Sequence, residues 1–134
     1  MNRKGKILWV DDDALLLEPL VTPLKDSGYY IRIAFDAAEA LDALRSEPFD
    51  LLLLDIYLPV GNCPHIDKAL KYIGIEILKL MSLWDIKVPT IVFSVVRASE
   101  LGDLTDFGVK KILYKARLPP DELLEIVEEI LEIS

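Results

Sequence analysis

Leu51-Leu52-Leu53-Leu54-Asp55 is the stretch on which the reading of this chain turns. Four apolar residues with no polar alternate suit a strand buried on both faces, as in a parallel sheet covered by helices on either side. The run then stops at a carboxylate. Working outward, the same pattern returns three times. Ile7-Leu8-Trp9-Val10 ends at Asp11 and Asp12, Thr90-Ile91-Val92-Phe93 ends at Ser94, and Val109 to Tyr114 ends at Lys115.

Strands are expected near 6–10, 29–34, 49–54, 88–94 and 109–114, and helices near 13–27, 37–46, 65–84, 98–107 and 120–132. Ala37, Ala40, Leu41 and Leu44 form one apolar stripe, and Leu123, Ile126, Val127, Ile130 and Leu131 form another. Pro120 suits a first helical turn, and Asp121 and Glu122 favour its dipole. Pro19 and Pro23 each remove a backbone donor from the first helical segment, which should kink or break. Alternating strands and helices without a long meander predict an α/β fold: a doubly wound, five-stranded parallel sheet in order 2-1-3-4-5, flavodoxin-like in topology.

The bulk properties narrow the class. At 134 residues the chain is sized for one domain, 1–134, with a sizeable core. It is 52% hydrophobic, yet no apolar run approaches the ~20 residues of a membrane span, and the N-terminus lacks a signal-peptide pattern. A formal net charge of −8 disfavours nonspecific contact with nucleic acid or anionic membrane. The single cysteine, Cys63, excludes an internal disulfide and fits a reducing compartment, so a cytoplasmic location is expected. No linker or appended effector segment is recognisable.

In an open α/β sheet, ligands bind beyond the carboxyl ends of the strands, where Asp11, Asp12, Asp55, Ser94 and Lys115 can converge. Three crowded carboxylates repel one another unless a hard divalent cation sits among them. With a hydroxyl and an ammonium added, such a pocket suits a phosphoryl group held beside Mg²⁺. Taken singly, the residues have plainer readings. Asp11 to Asp13 are suited to capping a helix, Asp55 to a solvated loop and Lys115 to a surface ion pair.

Together, Val10-Asp11-Asp12-Asp13, Leu54-Asp55-Ile56-Tyr57-Leu58-Pro59, Val92-Phe93-Ser94 and Tyr114-Lys115 resemble a response-regulator receiver domain, the phosphoacceptor module of two-component signalling. The resemblance covers nearly the whole chain. It implies that Asp55 is phosphorylated from a histidine kinase or a phosphotransfer protein, or from a small acyl phosphate. It also implies that Asp11, Asp12, Asp55 and the Tyr57 carbonyl hold Mg²⁺, and that Ser94 and Lys115 bind phosphoryl oxygens. Phosphorylation then switches contacts with a downstream protein target or a second copy of the chain, and self-catalysed hydrolysis resets it. The other receiver reading is a degenerate, unphosphorylated interaction module.

The sequence departs from the family pattern in several places. Ala116 stands where Pro usually follows the lysine; a cis bond before Ala costs about 2.5–4 kcal/mol, so a trans bond is expected. Ile112 occupies the usual aromatic switch position, with Tyr114 nearer the lysine. Val95, with Tyr57 and Val96, is expected to crowd the pocket mouth, either shielding an acyl phosphate from water or slowing phosphorylation itself. Residues 60–73 read as an insertion before Gly74. Within it, Ile66, Leu70 and Ile73 continue into Ile77, Leu80 and Trp84, predicting one extended third helix about 30 Å long. Its outer apolar stripe is either packed along the sheet or exposed for docking.

Enzymatic alternatives lack parts. His65 is the sole histidine, so neither a Ser-His-Asp triad nor a zinc site with Cys63 can be completed. Asp11 and Asp13 form the D-x-D of haloacid-dehalogenase-like phosphatases, but that chemistry needs a later acidic pair where this chain has Ser94 and Lys115. A flavin-binding flavodoxin-like protein shares the topology alone.

Overall fold

The computed structural model describes residues 4–133. Strand β1 (Gly5–Val10) is followed by α1 (Glu18–Asp26), β2 (Tyr29–Ala34), α2 (Ala37–Ser46), β3 (Leu51–Leu54) and α3 (Ile73–Leu83). Then come β4 (Thr90–Ser94), α4 (Ala98–Leu101), β5 (Val109–Tyr114) and α5 (Pro120–Ile133), with 3₁₀ turns at Thr105–Phe107 and Lys115–Arg117. The sheet has the expected order β2-β1-β3-β4-β5, with every adjacent pair parallel. Among the described residues no helix is long and apolar enough to cross a membrane.

Strand alternation sorts the core into two layers. Leu8, Val10, Leu52, Leu54 and Val92 pack toward α2 and α3. Ile7, Trp9, Leu51, Leu53, Ile91 and Phe93 pack with Val21 and Leu24 of α1 and Leu123 and Val127 of α5. Both faces of β3 are fully covered, its four leucines each 0–1% exposed. Burying such a side chain stabilises by about 1.5–3 kcal/mol, so a polar group belongs at the end of β3 rather than within it.

Three helices differ from the sequence expectation. Helix α1 begins at Glu18 rather than near residue 13. Pro19 falls in its first turn, where the missing donor is harmless, and a helix running in from residue 13 would drive the proline ring into the Leu15 carbonyl. Helix α1 continues through Pro23, held by the buried Val21 and Leu24.

The extended third helix over 65–84 does not form; α3 covers only Ile73–Leu83. Asp67 breaks the pattern by accepting the Ala69 amide on Oδ1 at 2.9 Å, a local bond that competes with helical ones. Ile66 is buried and Leu70 is 44% exposed, so the two do not share a stripe. The fourth helical segment ends after one turn at Gly102, whose φ of +74° leaves helical space, and resumes as the 3₁₀ turn.

Candidate functional site

Register brings the site together. Val10 pairs with Leu54, the Asp11 amide donates to the Ala34 carbonyl at 3.0 Å, and the Asp55 amide donates to the Val10 carbonyl at 2.9 Å. Strands β1 and β3 therefore end at one level, and at a strand spacing of about 4.8 Å their terminal carboxylates emerge side by side. On the other side of β3, Ser94 ends β4 opposite Tyr114, and Lys115 follows at once.

The Lys115 ammonium reaches back across the sheet to both acids. It bonds Asp11 Oδ2, and Asp55 Oδ2 at 2.9 Å. All three side chains are nearly or wholly buried, Asp11 at 0% exposure. Backbone amides take the remaining oxygens: Asp13 N donates to Asp11 Oδ1 at 2.8 Å, and Ile56 N donates to Asp55 Oδ1 at 2.7 Å. Asp12 points outward at the rim. One oxygen from each of Asp11, Asp12 and Asp55 lies within 4.8 Å of the others.

Asp11 to Asp13 do not cap α1, whose N-cap is Leu17 without a side-chain bond. Asp11 instead shapes the turn that follows β1.

The electrostatics suit an incoming cation. Burial lifts the Asp11 pKa above the ordinary carboxylate value, against the hydrogen bond from Lys115. Burial, then the neighbouring Asp13, lifts Asp12. For Lys115, burial works against the charge, but the bonds to Asp11 and Asp55 outweigh it and the pKa is raised. One ammonium thus faces three carboxylates. The donor set is all oxygen and anionic, matching hard divalent ions such as Mg²⁺ rather than thiolate- or imidazole-seeking ones.

Ser94 is buried, its Oγ accepting the Val96 amide at 3.2 Å. Tyr57 follows Asp55 by two residues and is 37% exposed, with its ring centroid 5.7 Å from that of Tyr72. Val95 is 55% exposed, whereas Val96 lies in the core and does not crowd the pocket mouth. No peptide bond among the described residues is cis, so Lys115–Ala116 is trans as expected. Ile112 is partly buried, and Tyr114 carries the Arg97 guanidinium 5.6 Å from its ring centroid. Cys63 is buried and His65 meets the Trp84 ring edge-on at 5.1 Å, two packing roles that need no metal.

Two glycines hold the loop beyond Asp55. A Cβ on Gly74 would lie 2.3 Å from the Asp55 carbonyl oxygen, so α3 approaches the site only because residue 74 has no side chain. Its amide donates to the Ile56 carbonyl at 2.9 Å. Gly61, at φ +71°, packs against the Asp36 carboxylate that caps α2. The amides of Ala37 and Ala38 donate to the carbonyls of Pro59 and Val60. The sequence marks Gly74 as a helix start; the close approach is visible only in three dimensions.

Comparison with known proteins agrees with this arrangement. The response regulator receiver domain family matches residues 7–128. Among curated relatives, the transcriptional regulatory protein CrdR of Helicobacter pylori is 39% identical over 66 residues, which are 49% of this chain and 31% of the relative. The chain spans about a third of the length of the curated relatives it matches. The receiver domain of Francisella response regulator 1452 superposes with a TM-score of 0.76 at 25% identity, covering 96% of this chain and 98% of that one. The response regulator TrrA of Thermotoga maritima, solved in complex with Mg²⁺-BeF, superposes with a TM-score of 0.71 at 27% identity, covering 94% and 98%. By family match, sheet order and the convergence of Asp11, Asp55 and Lys115, the chain belongs to the response regulator receiver domains of two-component systems.

Proposed function

We propose that this domain accepts a phosphoryl group on Asp55 from a phosphohistidine of a kinase or phosphotransfer protein, and so switches its contacts with a downstream partner. The observation that carries this reading is the buried pair Asp11 and Asp55 clamped by one ammonium, with Asp12 at the rim. An Asp55 oxygen attacks phosphorus, the P–N bond to the donor imidazole breaks with its electron pair going to the ring nitrogen, and the imidazole leaves, its anionic charge quenched by a proton from solvent. Lys115 holds the Asp55 carboxylate in place through its hydrogen bond, then neutralises a phosphoryl oxygen. Ser94, at the end of the neighbouring strand, supplies a hydroxyl for another.

Asp11, Asp12 and Asp55, with the Tyr57 carbonyl, are the residues that would hold Mg²⁺. That ion, when bound, neutralises carboxylate and phosphoryl charge. In the resting domain Lys115 does part of this neutralisation. Once Asp55 is phosphorylated to an acyl phosphate, its pairing with Lys115 changes, and the β4 and β5 ends are free to shift around the new acceptors. Attack of water on the same phosphorus returns the carboxylate and releases phosphate. The downstream target, a second copy included, would read the rearranged β4–α4 and β5 surface.

The test is intact mass after incubation with Mg²⁺ and acetyl phosphate, beside Asp55→Ala. One phosphoryl adduct requiring both Mg²⁺ and Asp55 supports the reading. Absence of both adduct and Mg²⁺ binding would return the chain to an unphosphorylated interaction module.

A further inference from the structure

A cleft of about 750 Å³ lies between the rim of the acidic site and residues 68–73. Asp12 and Tyr57 line its inner end; Lys68, Leu70 and Lys71 line the other side. This outer wall is set by the Asp67 turn, in which Oδ1 takes the Ala69 amide and the carbonyl accepts the Leu70 amide at 3.2 Å. The Lys71 ammonium lies 5.2 Å from the Tyr72 ring centroid, and Tyr72 leans on Tyr57. A lysine–aromatic tier thus runs from the outer wall to the residue two beyond Asp55. Neither Lys68 nor Lys71 forms an ion pair with a carboxylate among the described residues.

Charge makes this placement consequential. The chain carries a formal net charge of −8, and the pocket collects three carboxylates. An anionic phosphodonor therefore approaches against repulsion. Lys115 is already engaged by Asp11 and Asp55. Lys68 and Lys71 are the cations lining this open cleft, and their positive field raises the local concentration of anions at its rim.

We propose that Lys68 and Lys71 draw dianionic small acyl phosphates along this cleft toward Asp55 and so set the domain's phosphodonor preference by charge. The inference deepens the phosphoacceptor reading of Asp55 and rests on it. Both lysines act on the approach of the donor and take no part in the bond-making step, in which the P–O bond to the acyl group breaks, its carboxylate leaves and the Asp55 acyl phosphate forms. Their effect should depend on donor charge and decay with ionic strength, since the Debye length falls from about 10 Å at 0.1 M to about 3 Å at 1 M.

The experiment measures second-order rates of Asp55 phosphorylation by acetyl phosphate and by the less anionic phosphoramidate, at low and high KCl, in the full chain. The variants are Lys68→Glu/Lys71→Glu and the neutral Lys68→Gln/Lys71→Gln. The control, Lys87→Glu/Lys110→Glu, makes the same change in net charge at the opposite end of the sheet, where those residues line a separate cleft. The charge reversal at 68 and 71 is expected to slow acetyl phosphate about tenfold at low salt, phosphoramidate about threefold, and both less than about twofold in 1 M KCl. The neutral pair falls between, and the control keeps the wild-type rate. An unchanged acetyl phosphate rate, equal slowing of both donors, slowing that survives salt, or equal slowing in the control overturns the inference while leaving Asp55 as phosphoacceptor. A wild-type chain that takes a phosphoryl group from neither donor overturns the inference, and one that also binds no Mg²⁺ overturns the phosphoacceptor reading with it.

Discussion

Asp11 is wholly buried, paired with Lys115 and close to two other carboxylates. Burial raises its pKa from 3.8, so the folded chain holds that proton more tightly than the unfolded chain does. Stability contributed by the bound proton is complete below 3.8 and is lost as pH rises through the folded pKa. Asp11→Asn abolishes that titration. In metal-free buffer, the stability of Asp11→Asn relative to wild type should therefore climb as pH rises above 3.8, as read by urea denaturation at each pH. A difference independent of pH would show that Asp11 does not titrate with folding. That Asp11, Asp12, Asp55, Ser94 and Lys115 lie at strand ends was legible because they close apolar runs. The double pairing of Lys115 was not, because its two partners lie 104 and 60 residues away in sequence.

Helix α3 and the segment before it carry the next scale. Gly74 lets the helix start against the Asp55 backbone, and a methyl group there must displace one or the other. Gly74→Ala is expected to destabilise by about 1–3 kcal/mol in urea titrations and to slow Asp55 phosphorylation by acetyl phosphate at saturating Mg²⁺. Unchanged stability and rate would mean that the approach is not tight. Residues 60–72 offer a sharper contrast. With Ile66 buried and Leu70 half-exposed, Ile66→Ala should cost about 2–4 kcal/mol and Leu70→Ala within about 0.5 kcal/mol. Equal losses in denaturation midpoints would restore the single amphipathic helix. That helix was misread because Ile66, Leu70 and Ile73 keep helical spacing, while periodicity carries no record of the Asp67 bond to the Ala69 amide. Helices α2 and α5 were legible: α2 carries an unbroken apolar stripe behind Asp36 as its N-cap, and α5 has Pro120 at its start.

Across the whole molecule, any metal held by the acidic pocket would be coupled to folding, since Asp11, Asp12 and Asp55 meet only when β1 and β3 are in register. Mg²⁺ that binds only the folded chain should add about 2.7 kcal/mol at one hundred times its Kd. Thermal melts are expected to shift upward with Mg²⁺ and return with EDTA, and Asp12→Ala should remove most of the shift. An Mg²⁺ shift retained in Asp12→Ala would place the ion elsewhere. The sequence by itself determined the sheet. Doubly buried strands must be apolar throughout, so their ends and their alternation with helices are written in composition, and the parallel order follows from that alternation. Only the tertiary structure decided where the segment after Asp55 runs, how closely Gly74 meets it, and that Lys68 and Lys71 face the pocket rim. Those features depend on backbone bonds and approaches between residues distant in sequence, which local spacing does not encode.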